Sequence, residues 1–123
     1  MKKDILTKTD IIQLVDKFYD RVKTDPLLGP YFIDLVKINW AKHLPVMYTF
    51  WENVLFHTGT YDGNPMQIHK AMHDKFPMRT EHFQQWLRLF TSTVDDLFAG
   101  NNAEVIKQRA TSIATVMQIK ILY

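Results

Sequence analysis

Two imidazoles stand one helical turn apart in the run Tyr61-Asp-Gly-Asn-Pro-Met-Gln-Ile-His69 and its continuation to His73, just ahead of the aromatic segment His82-Phe83-Gln-Gln-Trp86. A neutral imidazole nitrogen is a good ligand for transition metals, and in a chain without cysteine it is the usual fixed ligand of a porphyrin iron. Two other readings of the pair stay open. Histidines at this interval share a helix face and can hold zinc, although His69-Lys-Ala-Met-His73 lacks the glutamate of a His-Glu-x-x-His site and no third ligand is evident. Alternatively, His69 is a surface histidine on a short helix.

Three more polar groups fall on otherwise apolar helix faces. Tyr19 follows Phe18 on the inward stripe of the first helix, where a phenol needs a hydrogen-bond partner: either a backbone carbonyl, as in an ordinary core tyrosine, or a ligand in a cavity. His43, between Trp40 and Met47, poses the same choice. Trp86 carries a donor-only indole nitrogen on an inward face, where bulk alone is the simpler explanation. Phe32, Met47, Phe50, Trp51, Phe83 and Phe90 have the spacing of ordinary core residues.

The bulk of the chain sets bounds on what these residues do. With 123 residues it has the size of a single domain, expected to span 1–123, and its 46% hydrophobic and 13% aromatic content leaves rings to spare for enclosing something flat and apolar. A formal charge of +2, without a Lys/Arg stripe interleaved with aromatics, argues against nucleic acid as a partner. The absence of cysteine excludes disulfides, thiolate-ligated haem and Cys-containing zinc sites. No run approaches the roughly 18 apolar residues of a membrane span, and no apolar segment follows Lys2-Lys3, so a soluble cytoplasmic protein without a membrane partner is expected.

The elements that must position the candidates read as all-α. Thr9 is expected to cap a first helix with Ile11, Leu14, Val15, Phe18, Tyr19 and Val22 on one face, ended by the Pro26–Pro30 stretch. A second helix carries Trp40, His43, Met47, Phe50, Trp51 and Val54, with Pro45 a candidate kink. Pro65 suits the first turn of a short helix holding His69 and His73. Thr80 is expected to cap a long helix bearing Phe83, Trp86, Leu87, Phe90, Val94, Leu97 and Phe98, which Gly100-Asn-Asn ends. The last helix is expected from about Ala103. No segment alternates long enough to be a strand.

Taken in order, Phe18-Tyr19, Leu28-Gly29-Pro30-Tyr31-Phe32, Trp40-x-x-His43, Phe50-Trp51, Tyr61-x-Gly63-x-Pro65-Met66-x-x-His69 and His82-Phe83-x-x-Trp86-Leu87-x-Leu89-Phe90 resemble the group III truncated haemoglobins over nearly the whole chain. The Gly-Gly pairs of the other truncated groups are absent, and Gln108-Arg109-Ala110 to Met117 resembles the family's last helix. The resemblance implies a truncated globin fold, a two-over-two helical sandwich enclosing haem b. It makes His69 the proximal iron ligand, with His73 the runner-up because an alignment anchored on Trp86 would select it. Phe32, His43, Met47, Trp51, His69, Phe83 and Trp86 would contact the cofactor, and Tyr19, His43 and Trp86 would surround the ligand on the distal side. His43 is there a donor, a swinging gate or a sixth ligand, and Lys42, Lys70 and Arg79 are candidates for the propionates.

The implied function is binding of O2, CO, NO or similar small ligands with slow oxygen release, coupled to nitric oxide or peroxide redox chemistry if a reductase serves the protein. Dioxygenase or peroxidase-like turnover would then follow. The competing classes are a haem-free helical interaction module and a metal enzyme built on His69 and His73.

Overall fold

Asp10 decides where the first helix begins. Its carboxylate accepts the backbone N–H of Thr7 at 3.1 Å, and the Thr7 hydroxyl accepts that of Asp10 at 3.3 Å, a reciprocal capping box opening α1 (Lys8–Thr24). The cap thus lies two residues before the expected Thr9, which sits inside the helix, because only Thr7 has an acidic partner three residues on. Burial would raise the Asp10 carboxyl, but Lys3 at 2.6 Å and the bonds from Leu6 and Thr7 outweigh it and hold the group below its usual value. Ile11, Leu14, Val15, Phe18, Tyr19 and Val22 form the buried stripe of α1, as their spacing requires.

The computed structural model describes residues 2–35, 37–59, 73–74 and 77–122. After α1, Asp25 turns the chain by accepting the N–H groups of Leu27 and Leu28, while its other oxygen accepts from Gln85 at 2.7 Å. Gly29 is required here, since a Cβ at this position would lie 2.7 Å from the carbonyl oxygen of Lys23. A π-helical segment, Pro30–Leu35, leads on toward α2 (Trp40–Phe56), which contains Pro45 and ends at His57 in a left-handed conformation with φ 56°. Two further helices follow, α3 (Thr80–Leu97) and α4 (Asn101–Leu122).

The start of α4 differs from the expected Ala103 because Asp4 acts as a cap from a distance. Its two oxygens accept the N–H groups of Asn102 and Ala103 at 2.9 and 2.8 Å, satisfying donors of the first turn that Gly100-Asn-Asn could not satisfy from within. Gly100 has φ 138°, and a Cβ there would fall 2.6 Å from the Asp4 side chain, so both backbone conformation and space call for glycine.

α1 packs on α2 and α3, and α4 packs on α3 and α2, giving two helical layers in the two-over-two arrangement of a truncated globin. The described elements are all helical. No described helix is long and apolar enough to cross a membrane. The seam between the layers is aromatic. Phe18 of α1 meets Phe90 and Trp86 of α3 edge-on at 5.3 and 5.6 Å, and Trp51 of α2 stacks on Phe90 at 4.6 Å. Pairs of this kind contribute about 0.5–1.5 kcal/mol each beyond their burial.

The cap of α3 falls to His82 and not to Thr80. Arg79 occupies the cap position with a side chain that has no acceptor, and Thr80 is the first helical residue; the Nδ1 of His82 accepts the Arg79 N–H at 2.9 Å instead. The imidazole is 7% exposed and rests against Tyr31 at 5.0 Å. Burial, then the nearby Arg79 charge, hold its pKa below the ordinary 6.5. A histidine depressed in this way takes up its proton more readily in the unfolded chain, so its contribution is complete above about pH 6.5 and is lost as pH falls toward the folded value. Denaturant unfolding followed from about pH 8 to pH 5 should show stability declining below about pH 6.5. His82→Ala should cost about 1 kcal/mol at the upper end, the worth of one hydrogen bond, and flatten that decline; parallel curves would remove the cap from the pH response.

Candidate functional site

Tyr19 is a buried polar group on the inner face of α1 and lies where α1 meets α2. Its ring is 7% exposed and its hydroxyl oxygen is 3.3 Å from the Nε2 of His43. Burial pushes the phenol well above the usual tyrosine value, so the hydroxyl keeps its proton throughout the physiological range. The ring also meets Phe18 at 4.9 Å, Trp40 at 5.4 Å and His43 at 5.3 Å. Phe18 is therefore the buried side of the phenol, and the half-buried Trp40 and His43 are its solvent side.

Two outcomes are open to the Tyr19–His43 pair, depending on where the imidazole proton lies. With Nε2 unprotonated, the phenol donates to His43. With the proton on Nε2, His43 donates to the phenolic oxygen and the hydroxyl proton is released for a third group. A buried O–H donor whose direction is set by a neighbouring imidazole is suited to holding a small ligand that gains negative charge on binding.

Trp86 lies on the other side of Phe18. It stacks on Phe90 at 5.5 Å and on Trp51 at 6.3 Å, with ring planes inclined by 9° and 21°. Three near-parallel rings thus stack inside the core, Phe90 and Trp51 buried and Trp86 half-buried at its edge, with the half-buried Met47 and Phe32 packed at the margin. Phe83, 6% exposed, belongs to a second cluster with Tyr31 and Met78 that also takes in Phe32. The geometry accordingly brings Tyr19, His43, Trp51 and Trp86 into one continuous set of rings, with Phe32 and Met47 packed against it and Phe83 on an adjoining patch.

His69 lies outside the described residues, as do Tyr61, Gly63, Pro65, Met66 and Lys70. His73 is half-buried and helical, and its Nδ1 accepts the backbone N–H of Met78 at 2.8 Å. An imidazole that accepts at Nδ1 carries its proton on Nε2. A metal-ligating histidine commonly does the reverse, donating from one nitrogen and binding through the lone pair of the other. Among the described residues no three His, Asp or Glu side chains come together as a metal site. Of the propionate candidates, Lys42 is exposed, and Arg79 lies on the surface 3.7 Å from Glu81.

Two polar contacts of this region were not anticipated from sequence. Tyr48 donates to Asp16, clamping α2 to α1 about one turn from Tyr19, and that phenol is pushed up to about 12 by burial and then by its carboxylate partner. Lys23 places its ammonium 4.6 Å from the centre of the Trp40 ring. The signal for the second was present: Lys23 is one turn beyond Tyr19, just as Trp40 is one turn before His43, so the two pairs face each other once α1 and α2 pack.

A family model for bacterial-like globins matches residues 4–119. The chain is 31% identical to the group 3 truncated hemoglobin ctb of Campylobacter jejuni, an alignment that takes in 96% of this chain and 93% of that one. The crystal structure of the group III truncated hemoglobin from Campylobacter jejuni superposes with a TM-score of 0.86 at 31% identity, covering 98% of this chain and 95% of the other. An all-helical two-layer fold, an aromatic interior with a protonated phenol, and agreement of sequence and structure from end to end lead to one family: the chain belongs to the bacterial-like globins, as a group III truncated haemoglobin that binds small ligands at a haem.

Proposed function

We propose that the protein holds haem b through His69, binds diatomic ligands opposite it under the Tyr19 hydroxyl, and releases oxygen slowly. The observation that carries this is the buried phenol of Tyr19, its pKa raised by burial, with His43 Nε2 at 3.3 Å. Haem, when bound, supplies an iron that takes a diatomic ligand. The residues fit such a group: the half-buried Trp86, Phe32 and Met47, backed by the buried Trp51 and Phe90, offer apolar contact, and Tyr19, His43 and Trp86 supply the polar atoms. Membership of the globin family supports the haem reading over a packing-only helical module.

The choice of His69 over His73 rests on the Met78 N–H that occupies Nδ1 of His73 and leaves Nε2 protonated. His69 is left as the imidazole of the Pro65–His73 segment whose Nε2 can bind iron. The same hydrogen bond weakens the reading in which His69 and His73 share a zinc ion.

On the opposite side, a phenol donor favours a ligand that accumulates negative charge, such as oxygen, over neutral carbon monoxide. His43 in its Nε2–H form fixes the phenolic oxygen and leaves the Tyr19 proton free to reach the ligand. The same donors suit polarisation of an O–O bond or oxidation of nitric oxide, with electrons from a reductase. A reductase partner and a cytoplasmic setting belong to the same proposal.

A hydrogen bond to a charged acceptor contributes about 1.5–3 kcal/mol, or roughly ten- to a hundredfold in affinity. Tyr19→Phe should therefore speed oxygen dissociation by about tenfold or more, measured by stopped-flow, while carbon monoxide dissociation changes little; an unchanged oxygen rate would remove Tyr19 from the ligand's surroundings. His69→Ala should abolish the five-coordinate ferrous spectrum, whereas His73→Ala should keep it. Loss of the spectrum in the His73 variant alone would reverse the assignment.

A further inference from the structure

We propose that Lys23 and Trp40 form a latch across the solvent side of the distal pocket and set the rate at which ligands pass His43. The inference rests on the placement of the pocket beside Tyr19 and His43 and extends it outward. Four side chains run in sequence from interior to solvent. The buried Tyr19 ring lies 5.4 Å from Trp40 and 5.3 Å from His43, Trp40 and His43 are 5.9 Å apart, and the Lys23 ammonium lies 4.6 Å from the centre of the Trp40 indole. Trp40 thus contacts the phenol, the cation and the imidazole at once.

The backbone around this pair explains why side chains have the task of closing it. Trp40 is the first residue of α2, and the preceding cap residue, Asn39, makes no side-chain hydrogen bond to the helix. Lys37, two residues earlier still, lies in the left-handed region at φ 56°, which disfavours a residue with a Cβ. The first turn of α2 is therefore not anchored by a side-chain cap, and the indole, together with the His43 imidazole, ties it to α1. On the other helix the Lys23 backbone is fixed, because the corner at Gly29 packs directly on its carbonyl. A firm post thus carries a cation over the ring at the start of a lightly tethered helix, the arrangement of a lid closed by one cation–π contact.

A latch and a hydrogen-bond donor differ in their kinetic effects. A donor that acts on the bound ligand slows escape alone. A lid that is closed with and without ligand slows entry and escape by the same factor and leaves affinity unchanged. A half-exposed cation–π contact of this kind should shift the closed-to-open ratio by roughly two- to fivefold.

The test uses the haem-loaded protein with carbon monoxide as probe, following rebinding after photolysis and dissociation by ligand replacement. Lys23→Met keeps the stem and removes the cation. It should raise association and dissociation together by about two- to fivefold. Trp40→Leu should raise both further. A second readout is independent of ligand passage: the ε-methylene protons of Lys23 should show an upfield ring-current shift by NMR, absent in the Trp40→Leu variant. No such shift in the wild-type protein, unchanged association in Lys23→Met, or a rise in dissociation alone would each overturn the latch. If Tyr19→Phe speeds oxygen loss while the latch variants rebind at the wild-type rate, the pocket stands and the latch falls. If Tyr19→Phe also changes nothing, the distal assignment falls and takes the latch with it.

Discussion

The packing of Phe18 and Trp51 against Phe90 is the constraint on which the rest of the molecule depends. Phe90 is fully buried at the middle of α3 and receives one ring from α1 and another from α2, so its position sets the crossing of both upper helices over the lower layer. Once Phe18 is seated there, its neighbour Tyr19 is turned toward α2, and the stack that begins at Trp51 extends to Trp86. The polar atoms of the pocket are placed by apolar contacts. Truncating a ring at such a junction costs on the order of 3–5 kcal/mol, more than a hydrogen bond in the site could restore.

Given that frame, the pocket depends on one protonated phenol and one adaptable imidazole. Burial disfavours ionisation of Tyr19, and in the proposed pocket His43 decides whether the hydroxyl is directed inward or satisfied locally. The charged groups lie at the borders: Lys23 over Trp40, Asp16 beneath Tyr48, and Asp25 at the corner held by Gln85. Each border contact joins two different elements, so polar chemistry holds the rim while rings fill the centre.

The inward stripes of α1 and α3 could be read directly from sequence because a period near 3.6 over four turns leaves little freedom in which residues are buried. Tyr19, His43 and Trp86 were legible as polar intruders on those stripes, and their order along the chain carried the family. Helix starts were less legible, since caps depend on partners that spacing does not reveal. Thr7 prevails over Thr9 through the reciprocal bond from Asp10, α3 is closed by a histidine where a threonine stood ready, and α4 begins early because Asp4 reaches it from almost the other end of the chain. The competition between His69 and His73 could not be resolved from spacing. The proposed preference for His69 draws on which ring nitrogen of His73 meets the Met78 N–H, an observation of folded geometry.

The central claim is that two helical layers enclose one haem per chain against the Trp51–Phe90–Trp86 stack. Titrating the haem-free protein with haemin tests it most directly, with the Soret absorbance and the tryptophan fluorescence recorded together. The account predicts a Soret band that saturates at one haem per chain, with fluorescence quenched in proportion as the macrocycle comes to rest beside Trp51 and Trp86. Haemin that stays spectrally free, with tryptophan emission unchanged at equimolar addition, would contradict it.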